Sequence, residues 1–492
     1  MPDDVTALDA LPLQHGYAAL PEVFFRRVAP TPVAAPAWLA FNVPLARELG
    51  LDALEGDAGA LQAFAGNAVP AQAQPLAMAY AGHQFGHFVP QLGDGRAILL
   101  GEVIDRAGQR RDLQLKGAGP TPFSRNGDGR AAIGPVLREF LVSEAMHALG
   151  VPTTRALAAV ATGQPVFRDG PVPGAVLVRV AASHVRVGTF QYFAARQDTA
   201  SVRALAHFAI ERHYPQLAEV AQPHLALLQA VAARQASLVA QWMQVGFIHG
   251  VMNTDNAAIS GETIDYGPCA FLDEYHPDKA FSSIDRNGRY AFGNQAKMAR
   301  WNLARLAETL LPVIDPDPAT ALALASEVID AFPQQFQREW LPGMCAKLGL
   351  GAVQAGDEAL VQGFLDALQA SAADYTLAFA ALADASVGEA AAAGLPDSPA
   401  MAAWLLAWRR RLQDEPRPAH GRASQLRATN PSVIPRNHVV EAALLAAGAG
   451  DLAPFNALLA AVRRPFNPGS DAAAFMQPPD AGDRVLHTFC GT

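Results

Sequence analysis

The chain changes character near Ala200. Before it, short alternating runs such as Ala97–Val103 and Arg111–Lys116 are broken by glycine every few residues. After it, alanine- and leucine-rich stretches such as Leu225–Val245 repeat apolar residues at helical spacing. Alternation marks half-buried strands, and a period near 3.6 marks helices. A strand-rich half joined to a helical half predicts an α+β chain in two lobes. Its 492 residues exceed one ordinary core, and a 51% hydrophobic content is enough to fill more than one.

Four segments follow from the pattern. Residues 1–75 read as an irregular Pro/Ala-rich arm with short helices near Pro44–Leu51 and Leu54–Ala65. Residues 76–185 form a small, glycine-dotted lobe. Its expected elements are the two strands above, a helix over Pro135–Leu149 stopped by Gly150, and a strand over Gly174–Val180. Residues 186–345 form a helical large lobe. Within it, Ala257–Ser260 and Thr263–Asp265 read as two short strands about a Gly261-Glu262 turn. Residues 346–492 read as a helical extension with a loop over Asp414–Gly421.

The formal net charge of -9 and the lack of a basic tail argue against a nucleic-acid partner. A local basic pocket for phosphate stays open. Met1-Pro2-Asp3-Asp4 lacks the basic-then-apolar order of a secretory signal, and no apolar run reaches the roughly 18 residues of a membrane helix. The expectation is a soluble, cytoplasmic protein with no membrane partner. Three cysteines, Cys269, Cys345 and Cys490, are too few for a disulfide framework.

The most informative stretch is His249-Gly250-Val251-Met252-Asn253-Thr254-Asp255-Asn256, followed by Asp265-Tyr266-Gly267. Kinase catalytic loops set an Asp base five residues before a metal-binding Asn, and a later Asp-Phe-Gly supplies a second metal ligand. Here Asn256 and Asp265 fill the two ligand positions, and hard oxygens suit Mg²⁺ or Mn²⁺. Val251 stands where the base belongs, and Asp255 is the obvious replacement. Lys116, ending a strand, and Glu139, early in the next helix, match the lysine–glutamate pair that holds nucleotide phosphates; Glu144 is a rival partner. The loops Gly93-Asp94-Gly95-Arg96 and Asn126-Gly127-Asp128-Gly129 allow close approach to phosphate, though glycines also simply make turns. Arg179 and Arg186 suit phosphate oxygens. His83 and His87 have helical metal-ligand spacing, but Gly86 interrupts it and a structural role is preferred. Together these features point to a two-lobed, protein-kinase-like fold.

Long segments also resemble one family, selenoprotein O. They are Tyr80–Gly86, Leu115–Arg125, Gly246–Asn256, Asn430–Asn437 and Arg463–Phe466, so the likeness spans almost the whole chain. The resemblance implies a pseudokinase fold that moves AMP from ATP to Ser, Thr or Tyr hydroxyls of proteins, with the nucleotide inverted relative to kinases. It implies nucleotide contacts at Gly93, Gly95, Arg96, Lys116, Asp128, Gly129, Arg179, Arg186 and Asp265. It further implies metal ligands at Asn256 and Asp265, a Lys116–Glu139 ion pair, and Asp255 as general base. Cys490 matches the family's reactive position near the C-terminus, and a redox pairing with Cys269, just past Asp265-Tyr266-Gly267-Pro268, is expected. The competing functions are phosphotransfer at the γ-phosphate, and a non-catalytic ATP-binding or thiol-redox scaffold.

Overall fold

The computed structural model describes residues 13–388 and 394–489. The strands in chain order are β1 (Phe25–Arg27), β2 (Ala37–Phe41), β3 (Leu76–Met78), β4 (Gly82–Gln84), β5 (His87–Val89), β6 (Ala97–Ile104), β7 (Arg110–Lys116), β8 (Ala131–Ala132), β9 (Arg155–Phe167), β10 (Pro171–Ala181), β11 (Phe247–Ile248) and β12 (Ala270–Phe271). The main sheet runs β1-β3-β6-β7-β10-β9-β2, with β8 beside β10. All these pairings are antiparallel.

Both faces of the sheet are covered, which is why consecutive residues in the middle of β6, β7 and β10 are buried. On one face lie α1 (Val43–Leu49) and α2 (Ala58–Phe64), whose Leu45, Leu49 and Phe64 meet Leu100, Leu115 and Val178. On the other lies α3 (Ile133–Ala148), with Leu137, Phe140 and Leu141 against Ala159, Ala175 and Leu177. The large lobe is built on α4 (Val187–Ala194), α5 (Thr199–His213), α6 (Pro223–Gln244), α7 (Gln295–Ile314) and α8 (Pro318–Lys347). Leu228, Val239, Phe247, Leu303 and Leu310 lie at its centre. The C-terminal helices divide. Phe364, Phe379, Trp404 and Trp408 pack with the end of α8, whereas Val440, Leu444, Phe455 and Leu458 return to cover α3.

Two expectations are corrected, and one feature is placed. The arm is not irregular: β1 and β2 are the two edges of the main sheet. The 257–265 segment is not a hairpin. Ala258 bridges to Arg186 and Thr263 to Thr153, so its apolar alternation reflects burial against two separate elements. His83 and His87 lie on opposite arms of the β4–β5 hairpin, not on a helix, and His83 Nδ1 meets the Gln191 side-chain amide at 2.8 Å. The long strand β9 went unread, whereas α3 and α6 fall within two residues of their expected bounds. Among the described residues no helix is long and apolar enough to cross a membrane.

Candidate active site

A cavity of about 790 Å³ opens between the main sheet and the large lobe. Every nucleotide, metal and base residue expected above lines it, from Gly93, Gly95 and Arg96 to Asp255, Asn256 and Asp265. Sheet register builds its inner wall. Lys116 on β7 faces Leu177 on β10, and Gln114, two residues back on the same face, faces Arg179. Arg179 donates to Gln114 Oε1 at 2.6 Å through Nη2, and Gln114 in turn donates to Asp94 Oδ2 at 3.1 Å.

Lys116 Nζ lies 2.5 Å from Glu139 Oε2 and 2.6 Å from Asp265 Oδ1. Arg179 Nη1 reaches Glu139 Oε1 at 3.1 Å and Asp265 Oδ1 at 3.0 Å. Arg186 Nη1 reaches Asp265 Oδ2 at 3.1 Å and the Asp255 carbonyl at 2.8 Å, while its guanidinium lies 4.7 Å from the Tyr80 ring centre. Glu144 turns the other way, to Arg155 at 2.6 Å and Arg463 at 3.2 Å. Three cations thus converge on Glu139 and Asp265, and Arg186 also lies 4.0 Å from Asp94 Oδ1, so three cations meet three carboxylates. Burial alone would push the Asp265 carboxyl up, but Lys116, Arg179 and Arg186 outweigh it and hold it well below the usual carboxylate range. Glu139 is lowered for the same reason, Lys116 acting most strongly. Asp265 also sits at φ +65°, a conformation costly for a non-glycine residue, which the convergent cations offset.

The second half of the site is the 251–256 loop. Val251 is buried where a kinase base would stand. Asn256 Nδ2 donates to the Val251 carbonyl at 3.0 Å, leaving its amide oxygen as the end available to a metal. Asp255 is 8% exposed, and burial raises its carboxyl to about 6 despite the pull of Arg186. Its Oδ2 accepts from Gln84 Nε2 at 3.3 Å. Among the described residues, Asp255 Oδ1 is the one buried carboxylate oxygen with no hydrogen-bond partner.

The outer wall is looser. Asp128 pairs with Arg168 at 2.9 Å, and Phe167, 71% exposed, stands at the mouth. The first glycine loop has a structural reason of its own: Gly93 lies at φ +74°, and a Cβ there would sit 2.3 Å from the Phe123 ring. Tyr80, Gln84, Asp94, Gln114 and Arg168 were missed as site residues by motif reasoning, because no kinase-like pattern marks them; Tyr80 and Gln84 did fall within a segment carrying the family resemblance. Cys269 is buried next to Pro268, whose carbonyl accepts from Thr488 Oγ1 at 2.6 Å. Cys490 lies outside the described residues, and so does its expected pairing with Cys269. Cys345 is buried on α8, and burial pushes its thiol up to about 11.

Known proteins resemble this chain along its whole length. A protein of Rhizobium johnstonii called protein nucleotidyltransferase YdiU is 58% identical over 490 residues, covering 98% of both chains. Its namesake in Rhizobium meliloti is 58% identical over 492 residues, covering 99% of this chain and 100% of its own. A third, from a Bradyrhizobium species, is 58% identical over 486 residues. The family model described as protein adenylyltransferase SelO matches residues 9–463, which takes in both halves of the cavity and the helices that cover α3. The chain belongs to the SelO family of protein adenylyltransferases.

Proposed function

We propose that this chain transfers AMP from ATP to hydroxyl side chains of proteins, with pyrophosphate as the leaving group and Asp255 as the base. The observation that carries this reading is the buried Asp255 carboxylate, whose Oδ1 has no hydrogen-bond partner, set in the same cavity as Lys116, Arg179 and Arg186. The cations are the deepest groups: Arg179 and Arg186 are buried, whereas Asp128, Arg168 and Phe167 line the mouth. A nucleotide entering with its β- and γ-phosphates on Lys116, Arg179 and Arg186 leaves its α-phosphate nearer the opening. The incoming hydroxyl gives its proton to the Asp255 carboxylate, and its oxygen bonds to the α-phosphorus. The bond from that phosphorus to the pyrophosphate oxygen breaks, and the electron pair leaves with pyrophosphate. Fixed cations at the leaving group are worth most in such a dehydrated site.

The donor set suits Mg²⁺ or Mn²⁺: an ionised Asp265 carboxylate and the Asn256 amide oxygen are hard ligands, too few to hold an ion without phosphate oxygens. When bound there, such an ion neutralises phosphate charge and steadies the leaving group. A lysine on a strand, a glutamate on the next helix, and metal ligands where two lobes meet support a protein-kinase-like fold. In that reading residues 76–185 are the small lobe and 186–345 the large one.

The test uses the full chain with Mg²⁺ and a cell lysate, in parallel with ATP labelled at the α- or γ-phosphorus. Label on protein from α-labelled ATP alone is expected. Label from γ-labelled ATP would make the chain a phosphotransferase, and label from neither would leave a binding scaffold.

A further inference from the structure

The β4–β5 hairpin is used by nothing derived so far, yet it touches three successive residues of the catalytic loop. The Phe85 backbone N–H donates to Asn253 Oδ1 at 3.0 Å, the His83 N–H to Thr254 Oγ1 at 2.7 Å, and Gln84 Nε2 to Asp255 Oδ2 at 3.3 Å. The anchors are themselves held. Asn253 Oδ1 also accepts from Tyr290 OH at 2.7 Å, and Thr254 Oγ1 donates to Gln191 Oε1 at 2.6 Å. Contact is so close that a Cβ on Gly82 would lie 2.7 Å from Asp255 Oδ1. The turn carries strain: Phe85 lies at φ +51° and Gly86 at φ +89°. A bulky residue in the left-handed region marks a position over-determined by its surroundings, commonly near a functional group. Here the N–H to Asn253 and the Phe85 ring, 5.1 Å from that of Tyr290, keep it there.

We propose that Gln84 is a positioning residue for the transfer reaction: by donating to Oδ2 of Asp255, while Oδ1 packs against the Gly82 backbone, it fixes the carboxylate in the orientation that receives the acceptor proton. The inference rests on Asp255 being the base. Among the described residues Gln84 is the sole side-chain donor to that carboxylate, since Arg186 takes the Asp255 carbonyl instead. A carboxylate with one oxygen packed and the other held by a donor keeps one orientation, and an amide does this without supplying a competing proton. The 3.3 Å separation is long, as catalytic contacts often are before substrates close a site.

The experiment measures apparent kcat and KM for ATP with α-labelled ATP, Mg²⁺ and a fixed amount of lysate protein. Gln84→Met keeps the length and removes the donor. Its kcat is expected to fall about 10-fold, the scale of one hydrogen bond to a charged group, with KM and the melting midpoint unchanged. Gln84→Glu places a second carboxylate against Asp255 and is expected to fall further, about 100-fold. Asp255→Ala is the control, with an expected loss of ~10²–10⁴-fold. Adding Gln84→Met to it should change nothing more, because the two act as one unit. A merely structural glutamine would show in the melting midpoint or in KM, and either shift overturns the proposal. Wild-type kcat in Gln84→Met with activity lost in Asp255→Ala overturns it alone. Wild-type kcat in Asp255→Ala overturns the assignment of the base beneath it.

Discussion

The cleft and the C-terminal helical core each bury a lysine, on opposite terms. Lys116 is clamped between Glu139 and Asp265, and Arg179 shares both carboxylates. Lys347, 5% exposed at the end of α8, has no carboxylate within ion-pair distance among the described residues. Its ammonium instead lies 4.2 Å from the ring centre of Phe379 and 5.8 Å from that of Tyr375. Burial pushes it down to about 7. A buried cation next to carboxylates that can exchange it for phosphate is poised for work. A buried cation among aromatic rings is a standing cost, partly offset by the faces of those rings. The contrast teaches that burial of charge alone does not mark a site; partners and an adjoining cavity do.

The strongest way to break this contrast is at Lys116. Lys116→Met should lower kcat/KM for AMP transfer ~10³-fold, the scale of removing a fixed stabiliser of transition-state charge. Labelled-ATP assays with ATP binding measured alongside decide it, and a variant within a few-fold of wild type removes Lys116 from the chemistry. Lys347→Met should do the reverse and stabilise. The folded-state value lies below the unfolded one, so the unfolded chain binds more protons between about pH 7 and 10.5. Wild-type stability is therefore lowest, relative to the variant, below about pH 7, and recovers as pH rises through that window. After the ring contacts are discounted, the gain is expected to be ~3 kcal/mol near pH 7. Melting midpoints at pH 6.5 and 9.5 check it: a gain that is absent, or the same at both, rejects the account.

A smaller effect separates the two glutamates of α3. Glu144 serves Arg155 and Arg463, away from the cavity. Glu144→Gln should cost ~1–3 kcal/mol of stability, since it weakens buried charge-assisted bonds, and leave the transfer rate as it was. A lost rate with an unchanged denaturation midpoint would erase the division of labour drawn here between Glu139 and Glu144.

Much of the cleft was legible because its chemistry is local in sequence. Asn256 and Asp265 stand nine residues apart, and Lys116 ends a strand with Glu139 on the next helix. What escaped was set by distant pairing. Phe25–Arg27 and Ala37–Phe41 are too short to show a period, and they become strands only because β3 and β9 offer edges to them. Gln84 escaped for a similar reason: its partner lies 171 residues away, and no spacing rule joins a hairpin to a loop at that range. The Ala257–Asp265 segment misled because Ala258 bridges to Arg186 and Thr263 to Thr153, so its two halves are bound to different neighbours and not to each other.

The two edge strands have a consequence for how the molecule is made. β1 and β2 leave the ribosome first, yet Phe41 pairs with Ala158 and cannot do so until that residue has emerged. At about 5–20 residues per second, the arm waits on the order of ten seconds with Trp38, Leu39 and Phe41 unpaired. β2 is therefore still unpaired after β1 has met β3. Once docked, β1 and β2 make both rims of the sheet from short strands, 3 and 5 residues long, and β2 covers the edge of the 13-residue β9. Without β2 the long β9 would itself be a rim, a longer template on which another molecule could add a strand.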